Sequence, residues 1–379
     1  TPRTLELPLD STKIVALAAT LHVRWKIRQS LPSGPAGVRP SLLSSLGVTI
    51  AALVVLALAG GVVLWWWGLR TPAFPQPPVT GKLEQRRLDF GGLPRSFLVY
   101  VPQHLPDPAP VVLVLHGAAG SAERMRSDTA WAFEELADRD GGLIVYPQGF
   151  EGYWNDCRAT GDDEAKQRVV DDVGFLRAVV ARLDGDPALR GRRIATDEVF
   201  AAGLANGGHM ALRLALEAPD FVAGVAAIAA SLPTADNLSC RMSGQPVPVL
   251  LINGDADPIS PYDGGEVWSL GPFNRRGTVQ PSVTTAEYFR KLAGYADPPF
   301  EHRYPDADPA DGTVASRRVW SAGDRPEVDL ITIHGGGHTI PHPVKTMPRI
   351  LGRTSHDLPA AEEIWRFFHR QLLGGRDPA

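Results

Sequence analysis

Apolar residues follow two different patterns along this chain. Between Leu46 and Trp67 they run almost unbroken. Beyond Gly81 they come instead as short β-forming runs that alternate with longer stretches of helical period. The short runs predict strands over 96–101, 111–115, 143–146, 199–203, 222–229, 249–253 and 329–333. Helical spacing predicts helices over 131–139, 170–183, 207–217 and 360–373. Apolar runs without polar alternation are those of strands buried on both faces. Strands alternating with helices therefore predict an α/β fold, a mostly parallel, doubly wound sheet covered on both faces. No internal repeat is present.

The unbroken run has a different meaning. No charged residue lies between Ser41 and Leu69, and Trp65, Trp66 and Trp67 close the segment. Its length matches the roughly 30 Å of a bilayer core, and terminal tryptophans suit a membrane interface. The expected organisation is a tail over 1–43, a transmembrane anchor or signal segment over 44–69, a proline-rich linker over 70–80, and a catalytic-type domain over 81–379. Arg24, Lys26, Arg28 and Arg39 precede the span, while Arg70 alone follows closely. This asymmetry predicts a membrane-anchored protein whose C-terminal domain is periplasmic or extracellular. Secretion after signal cleavage is the alternative.

Composition adds three constraints. With 379 residues, 44% of them hydrophobic and 21% charged, the chain can bury a large core. A net charge of −4 without a basic stripe gives no reason to expect a nucleic-acid partner. The two cysteines, Cys157 and Cys240, are expected to form a disulfide if the domain is exported.

The candidate chemistry centres on Gly203-Leu204-Ala205-Asn206-Gly207, which stands between a predicted strand and a predicted helix. That is the setting in which a G-x-S-x-G elbow exposes a nucleophilic serine. Here the central residue is Ala205. Downstream, the strand over 249–253 leads to Asp255 and Asp257, and the strand over 329–333 leads to His334 and His338. The order nucleophile, acid, histidine suits a Ser-His-Asp site. Asp257 is taken as the acid and His338 as the base, with Asp255 stabilising its turn and His334 structural. Ala118, in the loop that begins His116-Gly117, and Asn206 are the expected backbone donors of an oxyanion hole. His334, His338 and His342 are spaced by four, but the glycines and Pro341 preclude a helix there, so no metal site is expected. No cofactor is expected either.

Further pieces surround this set. They include Tyr146-Pro147-Gln148-Gly149, Trp154-Asn155-Asp156, Asp171-Asp172-Val173-Gly174-Phe175, Asn253-Gly254-Asp255-Ala256-Asp257-Pro258 and Pro261-Tyr262-Asp263-Gly264-Gly265. With Leu115-His116-Gly117, Gly203–Gly208 and Gly335-Gly336-Gly337-His338, the region from Leu98 to Phe368 resembles the poly(3-hydroxybutyrate) depolymerase and feruloyl-esterase-like hydrolases. The resemblance implies an α/β-hydrolase fold and hydrolysis of a small ester or polyester oligomer through an acyl-enzyme. It implies catalytic roles at positions 205, 257 and 338. The departure is Ala205, where that family has serine.

Two readings of Ala205 stand. One is a Ser→Ala replacement that silences a carboxylic ester hydrolase; the other is a natural change that leaves a pseudoenzyme or ligand-binding protein. In either case removal of the nucleophile costs on the order of 10⁶ in turnover. Ser121, Ser231 and Ser260 are read as ordinary loop residues. Trp154, Tyr262, Trp268 and Phe273 are candidate walls of a substrate pocket, and the segment over 264–282 is a candidate lid. Oligomeric state is not legible.

Overall fold

The computed structural model describes residues 42–189, 191–268 and 275–372. Residues 1–41 of the tail expected over 1–43, and Phe273, lie outside them. Two units compose the chain, one ending at Val63 and one beginning at Leu64. In the first, helix α1 spans Leu42–Leu64, so its first turn precedes the boundary expected at 44. A wider π turn, Trp65–Leu69, follows it in sequence. The segment Thr49–Leu69 is long and apolar enough to cross a membrane.

The second unit is built on ten strands in the order β1-β2-β4-β3-β5-β6-β7-β12-β11-β10. These are β1 Lys82–Phe90, β2 Leu93–Val101, β3 Ala109–Leu115, β4 Leu143–Pro147, β5 Ile194–Leu204, β6 Gly224–Ile228, β7 Val249–Gly254, β10 Phe300–Arg303, β11 Val314–Trp320 and β12 Val328–His334. From β4 through β12 neighbouring strands pair in parallel. Antiparallel pairs flank this centre on both sides. A separate hairpin joins β8, Gly265–Trp268, to β9, Arg275–Val279.

The central strands alternate between two cores because successive side chains point to opposite faces. On β3, Val111, Leu113 and Leu115 enter one cluster with Leu176 and Val179 of α5, Asp172–Leu183, and Phe289 of α7, Ser282–Leu292. Val112 and Val114 enter the other with Met125 of α2, Ala122–Asp128, Phe133 of α3, Ala132–Asp140, and Phe367 of α8, Ala360–Leu372. The expected strand and helix runs occur close to their expected bounds, except that the strand expected over 199–203 begins earlier, at Ile194. Short helix α4, Glu164–Gln167, and helix α6, Asn206–Glu217, complete the set used below.

Asp171 begins α5 by accepting the Gly174 N–H at 2.8 Å, so the helix starts two residues after the expected position 170. Cys157 and Cys240 are joined by a disulfide across 83 residues of sequence. By the chain-entropy argument, such a loop is worth about 4.5 kcal/mol.

Candidate active site

Strand β5 ends at Leu204 and α6 starts at Asn206, leaving Ala205 alone to make the turn at φ 51°, ψ −114°. A positive φ is unfavourable for alanine, at a cost of about 1–3 kcal/mol. Two backbone bonds hold it there: Ala205 N–H donates to Ile228 O at 2.8 Å, and Ala205 O accepts from His209 N–H at 2.8 Å. The glycines make so sharp a turn sterically possible. A Cβ at Gly203 would collide with the Gly207 backbone, and one at Gly207 with the carbonyls of Leu115 and His116. Gly207→Ala should therefore lose about 3 kcal/mol or more of stability, or fail to fold, because backbone cannot yield as a side chain can. Urea unfolding monitored by tryptophan fluorescence measures it.

The acid and base are delivered by the loops after β7 and β12. Asp257 Oδ1 accepts N–H bonds from Ile259 at 2.7 Å and Ser260 at 2.8 Å. Its Oδ2 accepts from His338 Nδ1 at 2.7 Å, and both side chains are nearly buried. That bond fixes the imidazole tautomer with its proton on Nδ1. Nε2 has no partner among the described residues. Beside this pair, His334 Nδ1 donates to Asp255 Oδ2 at 2.9 Å, and Gly335 N–H donates to Asp255 Oδ1 at 2.6 Å. Asp255 thus ties the same two loops together in a more exposed place. His342 Nδ1 accepts the N–H groups of Val344 and Lys345. Each of the three histidines has its own bonds.

A cavity of about 260 Å³ contains position 205 and His338 in its lining. Ala118 and Asn206 line it too. Asn206 is the first residue of α6, where a backbone N–H has no partner within the helix. The loop carrying Ala118 is pinned through His116. Its Nδ1 donates to Gly117 O at 2.8 Å, and its Nε2 accepts Gly149 N–H at 2.9 Å. Burial pushes the imidazole pKa down to about 4. An unfolded histidine titrates near 6.5, so the neutral ring contributes stability above about 6.5 that is lost as pH falls toward about 4. Chemical denaturation between pH 7 and 4 should show this decline, and His116→Gln should make it shallower.

Of the four expected aromatic walls, the three among the described residues, Trp154, Tyr262 and Trp268, are not in the lining of this cavity. Trp154 is fully buried, meets His116 in a tilted ring contact with centres 5.1 Å apart, and donates Nε1–H to His116 O at 2.9 Å. A buried indole N–H needs such an acceptor. Tyr262 directs its hydroxyl to Thr332 Oγ1 at 2.7 Å. Trp268 lies outward on β8 beneath Arg275, while its neighbour Val267 points into the cavity, as strand alternation requires. Segment 264–282 thus contributes wall through Val267 and Arg276. Ser121 and Ser260 also line the cavity, and Ser121 Oγ caps α2 by accepting Arg124 N–H. Neither is bonded to His338.

Sequence reasoning missed the charged network under the elbow. Asn206 Nδ2 donates to Asp156 Oδ2 at 2.7 Å and to Trp154 O at 3.0 Å, while its Oδ1 accepts Trp154 N–H at 2.8 Å. Asp156 also accepts Arg158 Nη2 at 2.5 Å and Lys166 Nζ at 3.1 Å. Burial alone would raise the Asp156 carboxyl, but Arg158 and Lys166 outweigh it and hold the group well below the carboxylate range. The Trp154-Asn155-Asp156 motif was the available signal. Its partners were not marked by any spacing.

A protein of Nocardia uniformis subsp. tsuyamanensis named "Putative esterase NocK" is 36% identical over 318 residues, 80% of this chain and 87% of its own length. The chain belongs to this esterase family. Poly(3-hydroxyalkanoate) depolymerase C of Paucimonas lemoignei is 24% identical over 282 residues, 67% of this chain and 61% of that protein. Among solved structures, an acetyl xylan esterase from Aspergillus awamori has a TM-score of 0.47 and 15% identity, covering 76% of this chain and 99% of its own. No family model matches the chain. The esterase relatives make carboxylic ester hydrolysis the chemistry of the family, with esters as its substrates.

Proposed function

We propose that this fold hydrolyses carboxylic esters through an acyl-enzyme when position 205 is serine, and that Ala205 leaves the chain able to bind an ester but not to turn it over. The observation that carries the reading is the bond from His338 to Asp257, with His338 lining the same cavity as the elbow. In the proposed reaction the Oγ of a serine at 205 bonds to the ester carbonyl carbon while its proton passes to His338 Nε2. The Ala118 and Asn206 N–H groups receive the developing oxyanion. The carbon–oxygen bond to the alcohol then breaks, and His338 returns the proton to that alcohol. Water, deprotonated by His338, frees the acid and restores the serine.

The depolymerase relative supports polyester oligomers as the substrate class, and the resemblance seen in the sequence adds feruloyl esters. We further read the segment 44–69 as a membrane anchor or signal, with the catalytic unit on the outer side. Ala205 itself favours a second reading, a natural ligand-binding protein on this fold. Installing serine at 205 and assaying short 4-nitrophenyl esters separates the two. A folded variant without activity on several ester types overturns the hydrolase reading.

A further inference from the structure

Two arginines, Arg158 and Arg276, line the cavity that contains position 205 and His338. Each is only 4% exposed. Arg158 follows the Trp154-Asn155-Asp156 motif, and Arg276 lies on β9, so the two come from distant parts of the sequence. Long cations are almost never buried unless something compensates them. Part of the compensation is visible. Arg158 and Lys166 share the Asp156 carboxylate, and Arg276 Nη1 donates to Asp163. Two carboxylates thus serve three cations, leaving this buried cluster one positive charge in excess.

Arg276 is also incompletely bonded. Its Nε is buried with no partner among the described residues. A buried donor left without an acceptor is expensive, and for a charged donor more so. The nearby negative charges do not fill the need. Asp128, which lines the cavity, is engaged by Arg124 at 3.6 Å and lies in the field of Lys345. Asp257 is saturated by His338 and two backbone N–H groups. Glu151, Asp162 and Glu164 lie along a separate cavity that also touches Arg276, but they are exposed and screened by water. Much of the remaining lining is apolar, including Met125, Leu204, Val267, Met347 and Leu351.

We infer that the site takes short esters that carry a carboxylate, which meets Arg276 and Arg158 on the cavity wall while the rest of the molecule lies on the apolar lining. The inference rests on the ester-hydrolase reading for the word ester, but not for the carboxylate. A guanidinium presents parallel N–H donors that match a carboxylate, and in a partly desolvated cavity such bonds are strong. A neutral acyl chain would occupy the same space and leave the excess positive charge beside the cavity uncompensated.

The Ala205 chain permits a direct binding test, because an intact ester is not consumed. Calorimetry compares monoethyl glutarate with diethyl glutarate, and 4-acetoxybenzoate with its methyl ester, placing the carboxylate on the acyl and alcohol sides in turn. The carboxylate member of at least one pair should bind about ten- to a hundredfold more tightly. Arg276→Gln should abolish that preference, while Arg276→Lys, which retains the charge, should keep part of it. Melting curves verify that both variants are folded, and Arg276→Lys carries the test if Arg276→Gln is not. Equal or weaker binding of both carboxylates, or a preference that survives in whichever folded variant carries the test undiminished, overturns the inference. The two readings fail separately. Carboxylate preference without turnover in Ala205→Ser removes the hydrolase and leaves the binding site. Turnover of neutral esters without carboxylate preference does the reverse.

Discussion

Ala205→Ser is expected to raise hydrolysis of 4-nitrophenyl butyrate about 10⁶-fold over the unaltered chain, equal to about 8 kcal/mol of activation free energy. The size follows from what is already in place. The backbone at 205 holds φ 51°, the His338–Asp257 bond is formed at 2.7 Å, and Ala118 and Asn206 line the same cavity. Serine adds one oxygen at a position whose Cβ borders that cavity, so the fold has little to rearrange. In the serine background, His338→Ala should return activity close to that of the Ala205 chain, because nucleophile and base act as a unit. Asp257→Asn should cost about 10⁴-fold, since an amide can donate to Nδ1 and favour the wrong tautomer. Initial rates at saturating ester check all three. A serine variant that melts like the parent yet stays within tenfold of its rate would sink the proposal.

The parts of this architecture legible in the sequence are those decided by local pattern. Strands β3, β4, β5, β7 and β12 are buried on both faces, so they appear as short apolar runs between turn residues. The elbow was legible because its glycines obey a steric rule that few other sequences satisfy. The outer strands were not read. β1, Lys82–Phe90, carries charges on its exposed positions, and β10, Phe300–Arg303, is exposed throughout. Such edges are held by backbone pairing, which leaves little hydrophobic trace.

The aromatic residues exposed a second limit. Trp154 lies next to the elbow in space, yet its ring packs against His116 and never enters the cavity lining. Which side of a loop a tryptophan faces depends on where its N–H finds an acceptor, and the sequence does not state that. The burial of Arg158, Lys166 and Arg276 was likewise invisible, because it is decided by carboxylates brought close only in the folded chain.

Asp156 is where that hidden network should fail most visibly. Its carboxylate receives Arg158, Lys166 and the Asn206 side chain in a fully buried place. Asp156→Ala leaves two cations and an amide donor without their shared acceptor, and should cost about 3–5 kcal/mol of stability. Asp156→Asn retains an acceptor oxygen but not the charge, so it should recover only a minor part. The pH dependence identifies the cause. The folded carboxyl titrates well below its ordinary value, so its contribution is complete above about pH 3.9, where the unfolded group ionises. It is lost as pH falls through the lower, folded value. Urea unfolding of parent and variant should therefore differ fully at pH 7 and converge below about pH 3.9. In an Ala205→Ser background the same substitution should lower kcat beyond the fraction unfolded, because Asn206 starts the helix behind the elbow and its side chain loses its charged anchor. If Asp156→Ala instead unfolds at the parent's urea midpoint, the elbow does not depend on this buried charge cluster, and its backbone bonds to Ile228 and His209 suffice to hold it.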